Sequence, residues 1–147
     1  MGRCPECGAS YDADGDSCAA RFEQLLALDH SRKEPWGSRH GQAFAAFALQ
    51  HPARFASSLD HAWTALHRIY VSNEQPRFVF DRLRVRRAEA LAEWNAPRRS
   101  ARPVKTPPVT IAQLGAFDAG TYAEGLDEWC RAALVMWGAI IPRVDST

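Results

Sequence analysis

The sequence predicts an all-α fold, an antiparallel helical bundle of four to five helices with a cysteine-bearing loop at its N-terminus, and three observations predict it. Apolar residues recur every three or four positions in four or five stretches, short breaks rich in Pro, Gly and Ser separate those stretches, and no run alternates with the period of two that strands require. Short connections between amphipathic helices make neighbours antiparallel. The 147 residues are read as one domain, 1–147, made of a loop at 1–17, a bundle formed by 18–94 and 110–141, and an Arg/Pro-rich loop at 95–109. Apolar residues make up 46% and charged residues 24%, a globular balance, and a net charge of +1 supplies no global field toward nucleic acid or anionic membrane.

Residues 1–17 are rich in Gly and Asp (Gly8, Asp12, Asp14, Gly15, Asp16) and carry no apolar period, so this loop needs something other than its own core to fold around. Asp16-Ser17 then caps a first helix of about a dozen residues, with Phe22, Leu25, Leu26 and Asp29 at helical spacing. Pro35 and Gly37 break the pattern, and Ser38 is placed to cap a second helix from His40 to His51, with Phe44, Phe47, Ala48 and His51 on one face and Pro52 as its stop. Ser57 or Ser58 opens a third helix carrying Leu59, Ala62, Trp63, Leu66, Ile69 and Tyr70 on one stripe, stopped near Asn73 and Pro76. The segment 78–94 reads as a fourth helix through Phe80, Leu83, Ala90, Leu91 and Trp94, although Phe78-Val79-Phe80 also fits a short extended piece. The Pro- and Arg-rich stretch that follows has no regular structure and forms an ordered surface crossing or a mobile loop. Thr110 caps a short turn, and a last helix near 119–141 carries Tyr122, Leu126, Trp129, Ala133, Trp137 and Ile140 on one stripe.

The most specific local signal is Cys4-Pro5-Glu6-Cys7-Gly8, followed by Cys18 at the start of the first helix. Two thiols separated by two residues, with Pro between and Gly after, form the tight turn that brings both sulfurs onto one Zn²⁺, a zinc knuckle. A tetrahedral site needs a fourth ligand. At 1.5 Å per residue the first helix carries the chain about 18 Å from Cys18 to His30, and an antiparallel second helix returns about 16 Å from His40 to His51. His51 therefore comes back to the Cys18 end, and the expected set is Cys4, Cys7, Cys18 and His51, with His61 and Cys130 as alternates. A redox CxxC is the competing reading, but that motif belongs to a βαβ context absent here. At the opposite end Asp29, His30 and His40 gather, either as solvated helix-end residues or as a possible second metal or acid/base site. His67, beside Leu66 and Ile69, reads as a partly buried or surface histidine.

These residues carry a resemblance. Cys4-Pro5-Glu6-Cys7-Gly8, Cys18, Phe22, Leu25-Leu26-Ala27-Leu28, His40, Leu49-Gln50-His51-Pro52 and Pro108-Val109-Thr110-Ile111-Ala112 resemble an uncharacterised bacterial family, a domain of unknown function with an N-terminal CPxCG, a third Cys and a His followed by Leu-Gln-His-Pro. The resemblance covers most of the chain and implies that Cys4, Cys7, Cys18, His40 and His51 matter. It implies no activity.

A closed Cys₃His shell leaves zinc no open position for water, so the leading expectation is a structural zinc in a protein-interaction or regulatory module with a protein partner. A zinc metalloenzyme, with water in the fourth place and His51 or His61 acting on it, is the alternative. Nucleic-acid binding through Arg82, Arg84, Arg86, Arg87, Arg98, Arg99, Arg102 and Lys105, with Trp94 for stacking, is the third reading, and a charge run of this kind is more often a solvated face. With no secretory-type apolar run near Met1 and no membrane-length apolar stretch, the expectation is a cytoplasmic protein without a membrane partner. In a reducing compartment the four cysteines are ligands or buried thiols; in a secreted protein they would form two disulfides.

Overall fold

The computed structural model describes residues 2–13 and 15–141 of the chain; Asp14, counted above with the loop's acidic residues, lies outside them. Among the described residues it is a helical bundle of five α-helices: α1 (Cys18–His30), α2 (His40–Gln50), α3 (Leu59–Tyr70), α4 (Pro76–Trp94) and α5 (Tyr122–Met136). Strands β1 (Gly2–Arg3) and β2 (Ser10–Tyr11) pair antiparallel, Gly2 opposite Tyr11 and Arg3 opposite Ser10. Two-residue strands are too short to leave a period of two in the sequence, which is why no strand was expected.

The bundle is organised around α2. Ala43, Ala45, Ala46, Phe47, Ala48 and Leu49 are all buried, so this helix is covered on nearly every side instead of burying the single face its spacing suggested. Its alanines let α3 and α5 approach closely, while Phe22 of α1 stacks on Phe47 with ring centroids 4.0 Å apart. Indole donors tie the layers together. Trp129 Nε1 donates to Gln50 Oε1 (3.0 Å) and Trp137 Nε1 to the Leu49 carbonyl (2.6 Å), so two α5 tryptophans reach the last turn of α2. Trp63 of α3 donates to the Pro97 carbonyl, and Ser100 and Val104 donate their backbone N–H groups to the Trp137 and Met136 carbonyls. The Arg/Pro-rich stretch is thus a crossing anchored to α3 and α5, the first of its two expected forms.

Helix ends account for the remaining differences. Ser17 caps α1 as expected, its Oγ accepting from Ala20 N, and Thr110 caps a 3₁₀ turn over Ile111–Leu114. Ser38 does not cap α2: it sits in a 3₁₀ turn, Gly37–Arg39, and donates to Glu34 Oε2 instead. Ser57 and Ser58 likewise lie in a 3₁₀ turn that runs into α3 without a side-chain cap. The fourth helix starts at Pro76, because proline fits a first helical position, so Phe78-Val79-Phe80 is helical and not extended. It kinks at Arg86, whose φ and ψ are −139° and 58°. The last helix spans less than 119–141. Gly138, at φ 98°, ends it in a Schellman motif, with Gly138 N donating to the Val135 carbonyl and Ala139 N to the Leu134 carbonyl. Ile140, expected on the buried stripe, is therefore 89% exposed beyond the helix.

Candidate metal centre

The knuckle is shaped by its backbone. Cys4 N donates to the Ala9 carbonyl (2.8 Å) and Gly8 N to the Cys4 carbonyl (2.9 Å), folding both cysteines toward one side. Gly8 has φ 81°, the left-handed region where a side chain is disfavoured, so glycine there permits the turn. The tip is fastened to the bundle by Glu6, whose Oε1 accepts from Ala53 N just past α2. From the other side, Ser17 caps α1 and the Asp16–Arg21 ion pair braces that first turn, which sets Cys18 as the first helical residue. Exposed N–H groups of a first turn favour a thiolate there.

His51 closes the set. It caps α2 at its C-terminal end, its ring stacks on Phe47 at 4.0 Å, and its Nδ1 donates to the Phe47 carbonyl at 2.8 Å. That bond fixes the tautomer and leaves Nε2 as the free lone pair, buried and without a hydrogen-bond partner. One ligand atom from each of Cys4, Cys7, Cys18 and His51 lies within 4.8 Å of the others, with Cys7 Sγ and Cys18 Sγ 3.5 Å apart. Two sulfurs on one tetrahedral ion at a Zn–S distance of about 2.3 Å would stand about 3.8 Å apart, so the donor set fits a metal ion with little adjustment. Among the described residues this is the one such cluster, and all four cysteines are free thiols.

The charge is concentrated on Cys18. The Cys7 thiol, His51 and Tyr11 all favour its thiolate, in that order, and hold its pKa down at about 4 against the cost of burial. The same bond to Cys18 and burial push Cys7 upward. Tyr11 Oη donates to Cys18 Sγ at 3.1 Å, a contact the sequence reading missed. Its one signal there was chemical: Tyr11 is the single aromatic residue among residues 1–17, a loop rich in Gly, Asp and Cys. Gln50 stands in the Leu49-Gln50-His51-Pro52 motif, but no role was expected of it. It accepts from Trp129 Nε1 and donates Nε2 to the Val109 carbonyl, which locks the end of α2 that presents His51.

The alternates lie elsewhere. Cys130 is fully buried in α5, its thiol 3.6 Å from the Gln42 carbonyl. His61 sits on α3, its Nδ1 buried without a partner and its pKa lowered first by burial and then by Arg87. His30 and His40 meet at the far end of α1 and α2, with ring centroids 5.8 Å apart, and His67 packs beside Trp63. A cavity of about 340 Å³ adjoins the cluster, walled by Tyr11, Cys18, Phe47, His51 and Arg54. A second, of about 550 Å³, separates the knuckle from Lys105 of the crossing and Met136 at the end of α5. No helix among the described residues is long and apolar enough to cross a membrane.

No curated protein and no solved structure matches the chain. A family does match, and over nearly the whole length, taking in the knuckle, Cys18, His51 and the last helix. The chain belongs to the family of unknown function DUF5946, whose match runs over residues 2–138.

Proposed function

We propose that Cys4, Cys7, Cys18 and His51 hold one Zn²⁺ as a structural brace between the N-terminal loop and the α1/α2 pair, and that the protein acts as an interaction module on the helices so held. The observation that carries this reading is the convergence of three sulfurs and one orphaned imidazole nitrogen from three separate segments. Thiolate-rich N/S sets favour zinc among divalent ions, and a four-ligand shell leaves no place for a reacting water. The outer face of α4, where Phe78 and Val85 are exposed, is the surface best suited to a protein partner. Elemental analysis of the purified chain tests the brace, with about one zinc per chain expected; a fully folded, metal-free protein would sink it. For the interaction role, Val85→Asp is expected to abolish any association that maps to α4, and a partner indifferent to it speaks against that face.

The cavity beside the cluster favours one second reading, a zinc enzyme with an open position. X-ray absorption at the zinc edge separates the two: three sulfurs and one nitrogen mean a closed brace, whereas an oxygen ligand in place of one of them means an open site. Nucleic-acid binding draws little support, since Arg82, Arg84, Arg86 and Arg99 are each paired with a carboxylate, of Glu93, Asp81, Glu89 and Asp60 respectively. A complex that forms with nucleic acid and weakens steeply with salt would revive it.

A further inference from the structure

The far end of the α1/α2 pair holds a buried carboxylate with an unusual environment. Asp29 lies in the last turn of α1 with its side chain 1% exposed, yet its partner is the half-exposed His40 imidazole at the start of α2, Nδ1 to Oδ2 at 2.8 Å. Its other oxygen, Oδ1, is buried without a hydrogen-bond partner, and so is the Tyr122 hydroxyl. A buried carboxylate held by one ion pair and left half unsatisfied works against stability. What it does achieve is orientation. Accepting from Nδ1–H, Asp29 fixes His40 in one tautomer and leaves Nε2 as a lone pair, which is the carboxylate–histidine arrangement that supports metal-ligating imidazoles.

His30, the last residue of α1, stands beside it with its ring centroid 5.8 Å from that of His40 and the planes 43° apart. Two imidazoles sharing one ion at a metal–nitrogen distance of about 2.1 Å put their centroids about 5 to 6 Å apart, so the pair is already near bridging distance. Arg39, the nearest cation in sequence, is turned to the Pro35 carbonyl and toward Glu34. We propose that His30 and His40 form a second site for a borderline divalent transition-metal ion, open to solvent, with Asp29 as the positioning residue that holds His40. Water completes the coordination, so binding is weaker than at a four-ligand cluster and exchangeable. One helical hairpin then carries a metal at each end: a closed one between Cys18 and His51, and an open one between His30 and His40.

The test is a calorimetric titration of the full chain with Zn²⁺ at about pH 8, where imidazoles are neutral and able to ligate. The wild type is expected to show two binding events, one lost in Cys7→Ser and the other in the histidine variants. His30→Ala and His40→Ala should each weaken the second event by at least about tenfold while leaving the first intact. His30 is exposed, so that variant tests the site without disturbing the core. Asp29→Asn should weaken the same event by about 10- to 100-fold while leaving the Cys7-sensitive event intact, which a purely structural Asp29 would not do. A wild type that shows no event sensitive to His30→Ala or His40→Ala overturns the proposal, whether or not the cysteine cluster takes zinc. So does a second event during which the side-chain nitrogen resonances of His30 and His40 do not shift.

Discussion

Tyr11 shows how one side chain outside the Cys4, Cys7, Cys18 and His51 cluster can act on it. Its hydroxyl donates to Cys18 Sγ, the sulfur that carries the site's negative charge, and outer contacts of this kind commonly set metal affinity by factors of 10 to about 100. Tyr11→Phe is expected to lower the affinity of the cluster for a metal ion about tenfold, read by competition with a chelator, with the knuckle otherwise retained. Gln50 has the opposite character, since its contacts are all to the fold. Gln50→Leu leaves the Trp129 indole N–H and the Val109 carbonyl without partners, and an expected loss of about 1–3 kcal/mol should show as a lower denaturation midpoint. His61 sets a pH dependence. Burial, then Arg87, lowers its pKa below the usual histidine value, so its contribution is fully present above about pH 6.5 and is lost as pH falls through the folded-state pKa. His40 works in the reverse direction, because the Asp29 carboxylate raises its pKa and that stabilisation fades as pH rises. Comparing urea midpoints of wild type and His61→Asn between about pH 7.5 and 5.5 removes the His40 part: the wild type should lose stability more steeply on acidification, and parallel curves would contradict the assignment.

At the scale of elements, the contact of α4 with α2 turns on a missing side chain. A Cβ on Gly41 would lie 2.9 Å from three ring atoms of Phe80, so α4 seats an aromatic ring on the first turn of α2 only because that position is glycine. Alanine would raise helix propensity there by about 1 kcal/mol, but pressing a methyl into a packed ring costs about 1–3 kcal/mol, and the second effect wins. Gly41→Ala is expected to lower the melting temperature by a few degrees, whereas Gly120→Ala, with nothing within 4 Å, should leave it unchanged. The sequence carried the stripe of α3 faithfully, since Leu59, Ala62, Trp63, Leu66, Ile69 and Tyr70 are all buried. It misplaced the end of α5, because Ile140 continues the 3.6-residue period past Gly138 and periodicity registers apolar residues without registering where a left-handed glycine turns the chain away.

For the whole molecule, the candidate metal cluster sits at one end of the helical core. The cluster joins the 1–17 loop to one end of α1 and α2, while most of the core is supplied by α2, α3 and α5 through residues such as Leu49, Leu66, Leu126, Trp129 and Leu134. Chelation or Cys7→Ser is therefore expected to lower the melting temperature by several degrees, at about 3 °C per kcal/mol for a chain of this size, while most far-ultraviolet helical signal survives. Complete loss of helix on chelation would mean that the metal nucleates the fold instead of bracing it. By itself the sequence determined the helical class and, from helix lengths and an antiparallel return, that His51 comes back to Cys18, because helical rise is a local constant that converts residue counts into distances. Only the tertiary structure decided that Tyr11 reaches Cys18, that Gln50 joins Trp129 to the Val109 carbonyl, and that Asp29 is buried against His40 with one oxygen unmet. Those contacts depend on how segments far apart in the chain lie across one another, and no local period records that.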